Sequence, residues 1–231
     1  MFEEYFYIFY QTLVNNNELL KIIFLTLQVS ISSVLIASIF ALPLGSFIAI
    51  VRFKNKKLLI IFLNALMGLP PVVIGLMVYL LFSRAGPLGE FGILFTPEIM
   101  IIAQVILIFP IICALSRQTI QDLWQEYEEQ LNSLGVSKFK ATLTLLWDAR
   151  YSLVTIILAG LGRALSEVGA VLIVGGNIEG VTRVMTTAIT LETSKGDLSF
   201  ALTLGLILIF IILILNAVIF AVNELTSKYS K

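Results

Sequence analysis

The sequence predicts an all-α integral membrane protein in which about five helices cross the bilayer. Of its 231 residues, 58% are hydrophobic and 13% are charged, and the mean hydropathy is +0.99. A soluble fold of this size could not hide so much apolar surface, because its outer layer needs polar cover. The composition therefore excludes a soluble cytosolic enzyme.

Charge and residue usage exclude several further classes. The 15 Lys and Arg residues balance 15 Asp and Glu residues, so no net positive field would attract a nucleic acid. Histidine, the commonest acid–base catalyst and metal ligand, does not occur, and the single cysteine, Cys113, cannot form an intrachain disulfide or a zinc cluster. The sequence has no G-x-x-x-x-G-K-[ST] pattern, so it predicts no ATP hydrolysis by this chain. We also expect no metal site and no cofactor.

Five apolar stretches reach or approach the roughly 20 residues that a helical membrane span needs. They are residues 22–51, 58–82, 99–115, 151–175 and 201–222. We expect kinks at Pro43, at Pro110 and at the pair Pro70-Pro71, which lie within three of these stretches. Residues 1–21 are dense in aromatic side chains, which is typical of a membrane interface, and predict a short interfacial helix.

The placement of Lys and Arg predicts the orientation of the chain, because cytoplasmic loops carry an excess of both. Ten of them fall on one side of the five spans: Arg52, Lys54, Lys56, Lys57, Arg117, Lys138, Lys140, Arg150, Lys228 and Lys231. Four fall on the other side: Lys21, Arg84, Arg183 and Lys195. The N-terminus is therefore expected outside and the C-terminus inside. No linker sets a soluble domain apart, so residues 1–231 are expected to form a single transmembrane domain.

Residues 116–150, on the predicted cytoplasmic side, form the most polar stretch of the chain. Apolar residues recur there at helical spacing up to Leu134, and Gly135 then suits the left-handed position that ends a helix. A second amphipathic helix is predicted over residues 137–146. Its apolar residues are Phe139, Leu143 and Leu146. The pattern predicts two helices that are joined at Gly135 and lie at the cytoplasmic face.

Arg163 and Glu167 are charged residues within the fourth predicted span. A charge at mid-bilayer costs about 2.5–3.5 kcal/mol, so such residues usually face the protein interior or a water-filled path. Their spacing of four would place them on one face of a helix. Two interpretations stay open: a buried ion pair that holds helices together, or a pair that lines a path or gate. The small residues Gly160 and Gly162 nearby favour close helix packing.

The segment around Gly135 resembles the cytoplasmic loop of ATP-binding-cassette (ABC) importer permeases, which carries the pattern E-A-A-x-x-x-G-x9-I-x-L-P. Glu129 and Gly135 match its Glu and Gly at the right separation, and Leu145 stands where the Ile belongs. Four positions depart from the pattern: Gln130, Leu131, Trp147 and Asp148. The resemblance implies a coupling helix that sits in a groove of a cytoplasmic ABC ATPase subunit. The residues expected at this contact are Glu128, Glu129, Leu134, Gly135 and Phe139. For the two glutamates, the alternative is a solvated helix face.

Residues 162–189 resemble molybdate- and tungstate-type permeases, which read R-A-L-x-E-x-G-A and, after a hydrophobic stretch, G-N-I-x-G-x-T. The matching residues are Arg163, Ala164, Leu165, Glu167, Gly169, Ala170, Gly176, Asn177, Ile178, Gly180 and Thr182. Val168 and the tetrapeptide W-D-A-R at 147–150 favour the tungstate branch. The residues expected to line the translocation path or gate are Arg163, Glu167, Gly169 and Asn177.

Residues 176–199 are predicted to be an external loop, and they include the cations Arg183 and Lys195. Donors of this kind would guide an oxyanion towards the path. The alternative, which we favour, is a solvated loop that docks a binding protein.

The resemblance implies a homodimeric permease subunit of an ABC importer in the cell membrane. Tungstate is the preferred substrate, and molybdate and sulfate are the alternatives. The expected partners are a cytoplasmic ABC ATPase, an extracellular or periplasmic oxyanion-binding protein, a second copy of the chain and membrane lipid, but no nucleic acid. Five spans are few for one chain to build a pore, so a closed twofold dimer is expected. The rival of a different class, an ion-coupled secondary transporter, would need inverted repeats. An intramembrane enzyme would need a nucleophile–base pair or metal ligands within the spans.

Overall fold

The computed structural model describes residues 17–229, and all regular structure within that range is helical. The helices are α1 (Asn17–Ile50), α2 (Lys56–Met67), α3 (Pro71–Phe82), α4 (Pro97–Ser133), α5 (Lys138–Asp148), α6 (Arg150–Leu165), α7 (Gly169–Gly175), α8 (Met185–Lys195) and α9 (Leu198–Tyr229), with a 3-10 helix at Gly89–Phe91. The predicted all-α fold is confirmed. An interfacial helix was expected over residues 1–21. Residues 1–16 of it lie outside the described residues, and residues 17–21 belong to α1.

Three helical segments are long and apolar enough to cross a membrane: Glu18–Ile50 in α1, Pro97–Ser133 in α4 and Leu198–Val218 in α9. Two helix pairs, α2 with α3 and α5 with α6, also meet this test when each pair is taken together, with bends of 96° and 76°. Each bent pair is either a broken span or a re-entrant loop. The described chain thus has three to five candidate spans, and the predicted five is the upper value.

The bend between α2 and α3 follows from Pro70 and Pro71. Proline has no N–H to donate and disfavours helical backbone in the residue before it, so α2 ends at Met67. Pro71 then occupies the first position of α3, where no N–H is needed. The kink predicted at this pair is confirmed. Pro43 and Pro110, in contrast, lie inside α1 and α4, which continue past them.

One predicted boundary is wrong: the fourth span, residues 151–175, is not one helix, because α6 ends at Leu165 and α7 begins at Gly169. The third apolar stretch and the predicted amphipathic helix after it form one continuous helix, α4, which extends as far as Ser133. Residues 176–199, predicted to be an external loop, contain α8. Helices end where capping groups satisfy their terminal N–H and C=O groups, and these points need not coincide with a change in hydropathy.

The described residues divide into two compact units. The first comprises residues 17–32, 71–104 and 165–217. A core there joins α1, α8 and α9 through seven buried side chains: Leu19, Ile22, Met185, Ala188, Leu204, Ile207 and Leu208. The amide of Met185 also donates to Thr26 Oγ1 at 2.9 Å, which fixes the start of α8 against α1.

The second unit comprises the remaining described residues. Within it, α1 and α4 approach so closely that a Cβ on Gly45 would overlap with the carbonyl of Cys113, whose side chain is fully buried. A Cβ on Gly160 of α6 would lie 3.0 Å from Ile112 Cδ1. The close packing expected of Gly160 is therefore confirmed. A Cβ on Gly162 would meet no described atom within 4 Å, so the same expectation stays a prediction there.

Candidate functional site

Glu167 lies in the break between α6 and α7, not on one helix with Arg163. Because α6 ends at Leu165, Arg163 occupies its last turn, where a cation interacts favourably with the helix dipole. The prediction that these two charged residues share one helix face is therefore wrong. They also belong to different units, Arg163 to the second and Glu167 to the first.

Glu167 is 3% exposed and caps the start of α7. Its Oε1 accepts a hydrogen bond from the amide of Ala170 at 3.0 Å, which satisfies one of the unpaired N–H groups of the first turn. The backbone carbonyl of Glu167 accepts a second hydrogen bond from Thr186 Oγ1 at 2.8 Å. One residue therefore positions both the start of α7 and the first turn of α8.

The short helix α7 packs against α3 at a distance that only small residues allow. A Cβ on Gly75 would lie 2.8 Å from the Cα of Ala170, and backbone atoms cannot move aside without shifting the helix. A Cβ on Gly169 would lie 2.8 Å from Val72 Cγ2, a side-chain methyl group that can rotate away. Gly169, which was predicted to line the path, therefore packs closely against α3. The requirement for glycine is stricter at Gly75, because a Cβ there would meet backbone atoms.

The residues after α7 form a tight turn with left-handed backbone at three positions. Gly176, Asn177 and Gly180 have φ angles of +71°, +51° and +72°. Glycine adopts this region freely, and asparagine does so more readily than most residues. Thr182 is fully buried and holds the turn: its hydroxyl accepts from the Ile178 amide at 2.9 Å and donates to the last carbonyl of α7 at 2.6 Å. The Gly, Asn and Thr residues of the G-N-I-x-G-x-T motif are thus the residues that the backbone of this turn requires.

Arg183 follows this turn and pairs with two carboxylates. Its Nη1 lies 3.0 Å from Glu18 Oε1 and 3.5 Å from Glu179 Oε2, and its side chain is 14% exposed. Lys195 pairs with Glu192 at 2.7 Å. Arg183 is therefore mostly buried, and its charge is compensated by carboxylates of the same chain.

A turn at Gly135 joins α4 to α5. Gly135 has a φ of +67°, and the amide of Val136 donates to the Leu131 carbonyl at 3.1 Å, as in a Schellman C-cap. Ser137 is the N-cap of α5, and its hydroxyl accepts from the Lys140 amide at 3.4 Å. The predicted pair of helices joined at Gly135 is confirmed, with the difference that the first helix is the end of α4.

Helix α5 exposes an apolar stripe, which we call the α5 stripe: Phe139, Leu143 and Trp147. These side chains are 68%, 52% and 72% exposed, and their spacing of four places them on one face. Leu145, on another face, is buried. The sequence analysis named Leu146 as the third apolar residue of this helix, but the third exposed apolar side chain is Trp147. The spacing of four residues from Leu143 to Trp147 was the signal that could have identified it. Large apolar side chains that stay exposed together mark an interaction surface.

Glu128, Glu129 and Leu134 are the other residues predicted to contact a partner. Leu134 is 70% exposed, and Glu129 is also exposed. Glu128 forms an ion pair with Arg52 at 2.9 Å, which connects the segment after α1 to α4. Glu128 is thus engaged within the chain, whereas the other two are accessible. Within residues 17–229, no group of three or more His, Cys, Asp or Glu side chains is arranged to hold a metal ion.

Comparison with known proteins identifies the class of this protein. The family described as "Binding-protein-dependent transport system inner membrane component" matches residues 41–228. Because the match covers most of the chain, the protein belongs to this family, whose members are the permease subunits of ABC importers. It is therefore a multi-pass protein of the cell membrane.

Individual relatives narrow the class further. The chain is 41% identical over 203 residues to the tungstate uptake system permease protein TupB of Peptoclostridium acidaminophilum, which covers 88% of this chain and 89% of that protein. It is 39% identical over 208 residues to a probable anion ABC transporter permease protein of Haloferax volcanii, with coverage of 88% and 90%. It is also 39% identical over 165 residues to TupB of Campylobacter jejuni, with coverage of 71% and 69%. The resemblance to tungstate- and molybdate-type permeases is confirmed.

Proposed function

We propose that this chain is the permease of an ABC importer that carries tungstate across the membrane, driven by a separate ATPase subunit. The α5 stripe carries the proposal: three large apolar side chains stay exposed beside the Gly135 turn, where a groove in a partner would cover them. The choice of substrate rests on the relatives, two of which are named for tungstate. Molybdate and sulfate share its charge and tetrahedral shape and are the alternatives.

Two copies of the chain would form the pore in this proposal. The N-terminus would lie outside and the C-terminus inside, and the excess of Lys and Arg on the side of Arg52 and Gly135 supports a cytoplasmic position for that turn. A twofold axis would supply two coupling elements for two ATPases. A separate binding protein would deliver the oxyanion from outside.

Arg163, Glu167, Gly169 and Asn177 are proposed to border the translocation path or gate. Glu167 supports a gating role because its hydrogen bonds position both α7 and α8, so a movement of one helix would shift the other. Asn177 supports a polar path because its side-chain oxygen is buried and accepts no hydrogen bond from the described residues. With the amide rotated, its NH₂ group would donate to an oxyanion from the same position.

Alternating access would follow from this arrangement. ATP binding would close the partner ATPases, and the α5 helices seated on them would follow. The residues at the break between α6 and α7 would then turn from the outer side of the membrane to the inner side. A helix break at Glu167 allows the two helices to rotate separately. The oxyanion would pass from the outer to the inner side during this change.

Docking of the ATPase is tested with Trp147→Ala. The matched control is Thr144→Ala, which changes an exposed residue of α5 outside the α5 stripe. Both variants should insert normally, since neither side chain is buried. We expect only Trp147→Ala to weaken the affinity of the purified permease for its ATPase, by about tenfold or more, as for an aromatic residue at the centre of an interface. Equal affinity in the two variants would contradict docking on the α5 stripe.

The substrate is tested by transport in proteoliposomes that contain the permease, its ATPase and its binding protein. Uptake of tungstate, molybdate and sulfate is measured with and without enclosed ATP. We expect ATP-dependent uptake of tungstate in preference to the other two oxyanions. Preferential uptake of molybdate or sulfate would show that this oxyanion, and not tungstate, is the substrate. Uptake driven by an ion gradient without the ATPase would favour a secondary transporter.

A further inference from the structure

A cluster of three cations lies beside the end of α1 and is only partly neutralised. Arg52 and Lys56 follow α1, and Arg117 lies on α4; both guanidinium groups act electrostatically on Lys56. Glu128 interacts with this cluster, and it pairs with Arg52 at 2.9 Å. We call these four residues the Lys56 cluster. Three cations against one carboxylate leave an excess of positive charge, which attracts an anion.

The polar groups of the chain do not use all the donors of the Lys56 cluster. Lys56 Nζ donates to the Ala49 carbonyl at 2.6 Å, and Arg117 Nη1 donates to Gln121 Oε1 at 2.6 Å. The Nε of Arg117 is buried and donates to no acceptor among the described residues. A buried donor without an acceptor is destabilising, so an incoming oxygen acceptor would stabilise this site.

Exposed apolar side chains follow the Lys56 cluster along the chain, in the first two turns of α2. Leu58, Ile61 and Phe62 are 66%, 65% and 57% exposed. A free oxyanion would interact with the cations alone and would gain nothing from this apolar surface. A phospholipid presents both a phosphate group and acyl chains, and it can therefore cover both parts of the surface together.

We propose that the Lys56 cluster binds the phosphate group of an anionic phospholipid, with Lys56 and Arg117 as its ligands. The planar guanidinium of Arg117 can donate to two phosphate oxygens, and the ammonium of Lys56 adds a compact charge. The acyl chains would lie against Leu58 and Phe62 of α2. The bound lipid would bridge the segment after α1 to α4, beside the Arg52–Glu128 ion pair. This site does not depend on the substrate of the permease.

Lipid retention by the full-length permease tests the proposal. The protein is purified from detergent that contains equal amounts of phosphatidylglycerol and phosphatidylcholine, and native mass spectrometry measures how much of each lipid stays bound. The test variant combines Lys56→Gln with Arg117→Gln. The control combines Lys54→Gln with Lys57→Gln, which removes the same charge from exposed positions nearby. We expect the wild type to retain phosphatidylglycerol preferentially, the test variant to lose about tenfold or more of it, and the control to lose less than about threefold.

Several outcomes would overturn the proposal. An equal loss in the test and control variants would indicate diffuse surface charge, and no loss in the test variant would exclude the Lys56 cluster as the site. Millimolar phosphate or tungstate is added to the wild type as a further arm: if either displaces phosphatidylglycerol and binds in its place, the ligand is a free oxyanion. Should the double variant fail to fold, the single variants Lys56→Gln and Lys57→Gln are compared instead. Each removes one charge, and only Lys56→Gln should lower the amount of bound phosphatidylglycerol.

Discussion

Replacement of Gly135 by valine should separate insertion of the permease from its coupling to ATP hydrolysis. Gly135 has a φ of +67°, a region that a β-branched residue enters only with strain. A Cβ at this position would meet no described atom within 4 Å. The effect of the substitution therefore comes from the backbone and not from crowding.

The expected magnitude follows from this backbone conformation. Left-handed backbone costs an L-residue about 1–2 kcal/mol, and valine should lie at the upper end. The turn can relieve the strain by breaking the hydrogen bond from Val136 to Leu131, which would redirect α5 together with the α5 stripe. A change of this size shifts the ratio of native to altered turn by about 5- to 30-fold. The level of permease in the membrane should stay near normal, because the turn lies outside the candidate spans.

Coupling is measured as ATPase activity of the reconstituted complex with and without loaded binding protein. We expect Gly135→Val to lower the stimulated rate by about 5- to 30-fold. Gly135→Asn is the control and should keep most of the stimulation, because asparagine adopts left-handed backbone more readily. Full stimulation and transport by the valine variant would refute the coupling role of this turn. Equal losses in both variants would show that the glycine is needed for a reason other than its φ.

Three further predictions concern packing and hydrogen bonds. Gly75→Ala should destabilise the permease by about 1–3 kcal/mol because its Cβ would overlap the backbone of α7, whereas Gly205→Ala, which has open space on α9, should be neutral or slightly stabilising. Thermal unfolding in detergent compares the two, and equal melting temperatures would contradict the packing argument. Thr182→Val should destabilise its turn by about 1–3 kcal/mol and Thr182→Ser much less, since serine keeps both hydrogen bonds; limited proteolysis at the turn should distinguish them. A double-mutant cycle of Arg52→Gln and Glu128→Gln should give a coupling free energy of at most about 1 kcal/mol, because the Arg52 side chain is 83% exposed, and a larger value would show that water is excluded from this pair.

The sequence by itself determined the membrane class, the helical fold and the turn at Gly135. Transfer of apolar residues into lipid is roughly additive along a chain, so the length and composition of apolar stretches reveal candidate spans. The left-handed φ of Gly135 depends on that residue and its immediate neighbours, which is why helical spacing followed by glycine predicted it correctly. The joining of the third apolar stretch to the amphipathic helix as one continuous α4 could not be predicted in the same way, because the helix continues after the hydropathy falls.

Only the tertiary structure decided which charged groups meet and where the fourth predicted span breaks. Arg183 pairs with Glu18 across 165 positions of the chain, and no local pattern specifies a partner at that separation. Arg163 and Glu167 are only four residues apart, yet they do not share a helix, because α6 ends at Leu165 and the Glu167 carboxylate accepts from the Ala170 amide at the start of α7. The backbone carbonyl of Glu167 is also buried and accepts from the Thr186 hydroxyl on α8, a donor that reaches it only when the two segments pack together. Local spacing therefore identifies candidate residues, whereas their partners depend on contacts that form only in the folded protein.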